Sequence, residues 1–84
     1  MLKIERISEN GGTRLRLSGE LRSAELEEVR SEIAKIAPKL VLDLAEIELV
    51  DLDGVRWLNA CEIVGVEVEN CAPYIREWIR QENS

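Results

Sequence analysis

Histidine and phenylalanine are absent from this chain of 84 residues, and cysteine, proline, tryptophan and tyrosine are scarce, at 2, 2, 2 and 1. Without an imidazole the chain lacks the commonest general base and the commonest metal ligand. Ser-His-Asp and Cys-His nucleophilic arrangements are thereby excluded. Positive charge is also short. Eleven Lys and Arg face 17 Asp and Glu, a net charge of −6, with a pI near 4.7. Phosphate recognition needs clustered cations, so nucleic acid and anionic membranes are not the expected partners. The two cysteines, Cys61 and Cys71, are too few for a zinc site without histidine, and their spacing is not that of a redox Cys-x-x-Cys. They read as half-buried free thiols in a reducing cytoplasm. No apolar run approaches the ~20 residues needed to span a bilayer. The opening MLKIERISEN interleaves charges where a signal peptide has an apolar core. The expectation is a soluble cytoplasmic protein with no direct membrane insertion, no metal and no cofactor.

What is present is globular. Hydrophobic residues are 45% and charged residues 33% of the chain, enough apolar surface to fold. The length suits one domain spanning residues 1–84, with a modest core, because a chain this short buries roughly 60% of its unfolded surface.

Periodicity orders the elements. Leu2, Ile4 and Ile7 partly alternate, Asn10-Gly11-Gly12 interrupts, and Thr13 to Gly19 resumes with Leu15 and Leu17 on one face. Two such runs around Asn-Gly predict a β-hairpin, closed by Gly19. Ser23 is the expected N-cap of a helix with Glu25 in its first turn. Leu26, Val29, Ile33 and Ile36 form its apolar stripe, and Pro38 its stop. Lys39 to Leu44 is nearly continuous in apolar residues, which predicts a central strand buried on both faces, parallel to its neighbour and ended by Asp43-Leu44. Ala45 to Val50 reads as an apolar loop into Asp51-Leu52-Asp53-Gly54, where a second helix begins. Its stripe holds Val55, Leu58 and Cys61, with Trp57 and Val64 alongside, and Gly65 stops it. Val66 to Glu69 alternates as an outer strand. Pro73 opens a last helix with Tyr74, Ile75, Trp78 and Ile79 on its apolar side, ahead of a polar tail, Gln81 to Ser84.

The most unusual segment is LVLDLAEIELVDLDGVRW, Leu40 to Trp57. One reading is enzymatic. An apolar strand followed by Asp51-x-Asp53-Gly54 resembles the opening motif of haloacid-dehalogenase-type phosphatases, in which the first Asp is the nucleophile, the second a general acid/base, and Mg²⁺ joins both to phosphate. That chemistry also needs a downstream hydroxyl, a lysine and further acidic ligands. From Glu32 to Asn83 the chain has no Ser or Thr, and no Lys beyond Lys35 and Lys39. The expectation is therefore no catalytic residue.

A second reading uses far more of the chain. Gly19-Glu20-Leu21 after a strand, a helix from Ser23, a strand ending in Asp43-Leu44, Asp51-Leu52-Asp53-Gly54-Val55, Gly65 before a strand, and Pro73 opening a helix follow the order found in the STAS domain. The chain resembles this sulphate-transporter and anti-sigma-factor-antagonist family from about Leu2 to Ile79. The resemblance implies an α/β fold: a four-stranded mixed sheet, built from an N-terminal hairpin and parallel β-α-β units, flanked by three helices. It also implies that the loop after the central strand and the start of the next helix bind a protein partner. Regulated members carry an Asp-Ser-Ser-Gly or Asp-Ser-Thr-Gly there, whose first hydroxyl residue is phosphorylated to block binding. In this chain the hydroxyl pair is Leu52-Asp53, and no Ser or Thr lies between Ser31 and Ser84, so no phosphorylation is expected in the loop. Asp53 either caps the helix, as Asp does well, or supplies a permanent negative charge in place of a phosphate. Arg22 stands where the family often has Asp after Gly-Glu-Leu.

The expected partner-binding set is Val50, Asp51, Leu52, Asp53, Gly54, Arg56, Trp57, Asn59 and Ile63. Asp43 and Asp51 are expected to hold local backbone amides. Trp57 and Trp78 are expected to pack in the core, with Trp57 near enough to the helix start to show at an interface. The implied partner resembles an anti-sigma factor or a subunit of a membrane-associated complex. An alternative is a homodimer through the outer strand, Val66–Asn70. No glycine-rich phosphate loop is present to hold a nucleotide.

Overall fold

Asn10 and Gly11 both have positive φ, 38° and 79°, the backbone of a two-residue turn whose twist matches paired strands. The turn joins β1 (Leu2–Glu9) to β2 (Gly12–Leu21), which pair antiparallel with Glu9 opposite Gly12 and Leu2 opposite Gly19. The computed structural model describes residues 1–36 and 39–83. Gly19 does not close the second strand. It sits inside β2 at φ +99°, where a Cβ would lie 2.4 Å from the Met1 carbonyl oxygen, and the strand continues to Leu21. The register against the next strand shifts on both sides of Gly19, so a bulge, not an end, is what this glycine serves.

Helix α1 (Ser23–Ala34) follows at once. Arg22 is the N-cap, not Ser23, which is the first helical residue; the Glu25 carboxylate accepts the Arg22 N–H at 3.3 Å. Leu26 and Val29 are buried and Ile33 and Ile36 partly so, as the stripe predicts. Pro38 lies outside the described residues. Strand β3 (Leu40–Val50) pairs parallel to β2. It runs six residues past the expected end at Leu44, so Ala45–Val50 is strand and not loop. The polar pattern Glu46, Glu48 misled because these residues stay exposed on the strand's outer stretch. Helix α2 (Leu52–Ile63) starts after one linking residue, β4 (Glu67–Glu69) pairs parallel to β3, and α3 (Pro73–Glu82) ends the described fold.

The sheet order is β1-β2-β3-β4, mixed, with three helices, the architecture expected. Leu15, Leu17, Leu42, Leu44 and Val50 from the strands join Leu26, Val29, Val55, Trp57, Leu58, Cys61, Ile75 and Ile79 from the helices in one apolar cluster. Alternation puts Arg14, Arg16 and Asp43 on the opposite face. β3 is therefore not buried between two apolar layers: its second face is covered by charged side chains around Asp43. Two ion pairs tie α3 to α2, Arg76 to Glu62 at 2.7 Å and Arg56 to Glu82 at 3.0 Å. Val64 and Tyr74 depart from their expected apolar stripes. Val64 is the exposed C-cap of α2, and Tyr74 is exposed with its hydroxyl donating to the Glu48 carbonyl at 3.3 Å. Gly65, at φ +96°, stops α2 as expected.

Candidate partner-binding site

Residues 50–54 form a corner rather than a loop. Val50 ends β3, Asp51 alone links, and Leu52, Asp53 and Gly54 are the first turn of α2. The corner is held by Asp51. Its Oδ1 accepts the Gly54 N–H at 2.8 Å, the N-cap bond of α2, and its Oδ2 accepts the Ser23 N–H of α1 at 3.0 Å. Its own N–H donates to the Leu21 carbonyl at 3.4 Å, and its carbonyl accepts from Val55 at 3.0 Å. One carboxylate thus satisfies donors at two helix N-termini, where amide groups have no partner within the helix. The Ser23 and Gly54 hydrogen bonds outweigh partial burial and hold the Asp51 carboxyl below its ordinary range.

Gly54 closes the same corner from inside. It is buried, and a Cβ there would stand 2.4 Å from the Leu21 carbonyl oxygen. Only glycine lets the first turn of α2 press against the end of β2. The sequence placed the cap one acidic residue too late. Asp51, not Asp53, makes the cap bond, and Asp53 stands exposed in the first turn with no hydrogen bond or ion pair among the described residues. Its position still suits the positive end of the helix dipole.

The expected site residues divide by exposure. Leu52 at 40% and Ile63 at 72% are large apolar side chains open to solvent, at opposite ends of α2. Asp53 and Arg56 are exposed and Asn59 partly so. Val50 and Gly54 are buried, and Trp57 is 8% exposed and belongs to the core cluster. These three shape the surface from beneath. Val64, 78% exposed beside Ile63, was missed because its spacing matched the buried stripe.

Asp43 was expected at a strand end and lies in the middle of β3, 2% exposed. Its Oδ1 accepts the Ala45 N–H and the Asn70 side-chain amide, each at 3.0 Å, and its Oδ2 accepts Arg14 at 3.1 Å and Arg16 at 3.4 Å. Burial works against the charge, but the bonds from Asn70, Ala45 and the two guanidinium groups overcome it and lower the Asp43 pKa. Arg14 also binds Glu69 at 2.7 Å and Glu9 at 2.9 Å, bonds that raise its own pKa against partial burial. The backbone-amide role assigned to Asp43 holds, and the ion pairs add to it. Both oxygens of Asp51 and of Asp43 are thus engaged in hydrogen bonds within the chain. Among the described residues no group of three His, Cys, Asp or Glu is placed to hold a metal ion. Burial raises the Cys61 thiol to about 11 and also raises Cys71, so neither is an activated thiolate. No described helix is long and apolar enough to cross a membrane.

The architecture has a known counterpart. The chain superposes on the structure of the anti-sigma factor antagonist SpoIIAA in its unphosphorylated form with a TM-score of 0.64, over 99% of this chain and 81% of that one, at 19% sequence identity. The chain therefore has a STAS-like fold. No family model and no curated protein matches the sequence.

Proposed function

We infer that the chain is a protein-interaction module of the anti-sigma-factor-antagonist kind, without enzymatic activity, and that it docks through the β3–α2 corner and the outer face of α2. Leu52, Asp53, Arg56, Asn59 and Ile63 make the contacts. Asp51, Val50 and Gly54 hold the backbone in place behind them, and Trp57, in the core, shows its edge beside Asp53. The observation that carries this reading is the corner itself: its shape is over-determined from inside by Asp51 and Gly54, yet an apolar Leu52 and an unpaired Asp53 are left outside. Rigid presentation of such groups limits the entropy lost on binding. The partner is a protein resembling an anti-sigma factor or a membrane-complex subunit.

Binding at this corner is constitutive with respect to Ser/Thr phosphorylation. Leu52 cannot accept phosphate, and residues 50–63 contain no Ser, Thr or Tyr; the hydroxyl residue that the fold brings to the corner is Ser23, whose N–H is bound to Asp51. A second copy of the chain fits the outer strand poorly. Two-fold pairing about Val68 would set Glu67 against Glu69 of the other copy, like charges across a strand pair. The test is cross-linking mass spectrometry on the complex isolated from the native cell. Cross-links should concentrate on residues 50–63, and the intact chain should show no gain of the about 80 Da a phosphate adds. Cross-links confined to the β1–β2 face, or a phosphate on Ser23 beside the corner, would overturn the reading.

A further inference from the structure

The two helices tied to Asp51 leave a groove between them. Ser23, Leu26, Glu27 and Arg30 of α1 face Asp53, Arg56, Trp57 and Ala60 of α2 across a space of about 420 Å³. The lining residues fall at the same helical spacing, i, i+3, i+4 and i+7, on both sides, and both helices have their N-termini at the Asp51 carboxylate. Leu26 and Trp57, 5% and 8% exposed, form an apolar floor.

The charges along the rim are unequal in what they lack. Arg56 is bound to Glu82 at 3.0 Å, and Arg30 lies 4.0 Å from Glu27. Asp53 has no partner among the described residues. Arg56 is therefore matched within the chain and Arg30 only by a contact at the limit of an ion pair, while the Asp53 carboxylate beside the apolar floor has no partner among the described residues. The chain as a whole carries a net charge of −6, which draws basic partners.

The geometry points to one occupant: a segment of the partner protein that lays an apolar side chain on Leu26 and Trp57 and sets a lysine or arginine against Asp53. This inference rests on the docking role given to α2 and adds the chemistry of what docks. It assigns Asp53 an attractive part, so that its charge recruits a cation instead of standing for an absent phosphate. It also accounts for why the cap was left to Asp51: an Asp53 engaged with helix amides would have no charge to offer outward. The neighbouring apolar contact lowers the local dielectric, which raises the attraction between the two charges and sets it against the cost of taking them out of water.

The probe is a pair of short helical peptides with leucine at i and i+4, one carrying arginines and the other glutamates on the flanking positions. Amide and indole NMR of the labelled chain reads the binding. The arginine peptide should shift the Trp57 indole and the Asp53 and Glu27 amides and leave the Trp78 indole in place. Asp53→Asn should weaken that peptide, and Asp53→Arg should weaken it about tenfold and turn the preference toward the glutamate peptide. Equal binding of both peptides, shifts confined to Ile63 and Val64 or to the Arg14–Asp43 face, or no binding of either peptide would overturn the proposal. The native complex separates the two levels. Protection of Leu52, Asn59 and Ile63 that spares Glu27 and Trp57 would refute the groove alone. Protection that misses α2 altogether would refute the docking reading as well.

Discussion

Two acidic regions of the molecule are built on opposite terms. At the open face of the sheet, Asp43 is buried and every oxygen is engaged: Arg14, Arg16, Asn70 and the Ala45 amide close around it. At the β3–α2 corner, Asp51 is engaged in the same way, but Leu52 and Asp53, its immediate neighbours, are turned out and left unmatched. The first region is closed upon itself and speaks to stability. The second is held from inside by Asp51 and Gly54 and leaves Leu52 and Asp53 outside, the arrangement that the proposed docking uses. Acidic charge by itself does not separate them; unmatched groups on a fixed backbone do.

Gly54→Val places a side chain onto the Leu21 carbonyl and should cost on the order of 4 kcal/mol, visible as a large drop in the denaturation midpoint. Asp43→Ala leaves Arg16 and Asn70 without their shared acceptor and should cost about 3 kcal/mol, since breaking a buried ion pair strands its partners. Urea unfolding measures it, and a loss below about 1 kcal/mol would place Asp43 among weak surface pairs. Asp51→Ala removes acceptors from two helix N-termini and should cost about 2 kcal/mol, the upper end for a lost cap. Hydrogen exchange should then quicken at Ser23 and Gly54 together, whereas exchange at Gly54 alone would show that α1 does not depend on this carboxylate.

Acid sharpens the same contrast. Asp43 and Asp51 both titrate below their unfolded values. A carboxyl with a lowered folded-state pKa contributes stability that is present above the unfolded value of about 3.9 and is lost as pH falls through the folded one. Stability should hold from neutral pH to about 5 and decline below about 4, and the decline should be shallower in Asp51→Asn. The smallest effect on stability belongs to Leu52→Arg and Asp53→Asn, within about 0.5 kcal/mol because both side chains are exposed, although both should weaken the partner complex.

Much of this was legible in the residues. Asn10-Gly11 announced the hairpin, the Leu26–Ile36 spacing the first helix, and Pro73 the last, because local backbone chemistry decides each. What escaped was decided by tertiary contacts. Gly19 looked like a strand end, but its role is the close approach of Met1 to a bulge. Ala45–Val50 looked like a loop because its charges are solvent-facing, yet pairing with β2 extends the strand. The acidic corner was visible as a motif, whereas the division of labour between Asp51 and Asp53 was not. Two carboxylates two positions apart are equal candidates for a cap until the Ser23 amide of a distant helix arrives to select one. The groove beside them had no signal in either helix alone, since Leu26 and Trp57 meet only when both helices share a start.

Leu52→Arg decides whether the outward groups of the β3–α2 corner bind a partner. Wild type, Leu52→Arg and a control, Glu28→Arg on the exposed side of α1, should fold with the same denaturation midpoint. Quantitative recovery of the partner on each from the native cell should then agree for wild type and the control, and fall at least about tenfold for Leu52→Arg. Equal recovery on all three would contradict the claim.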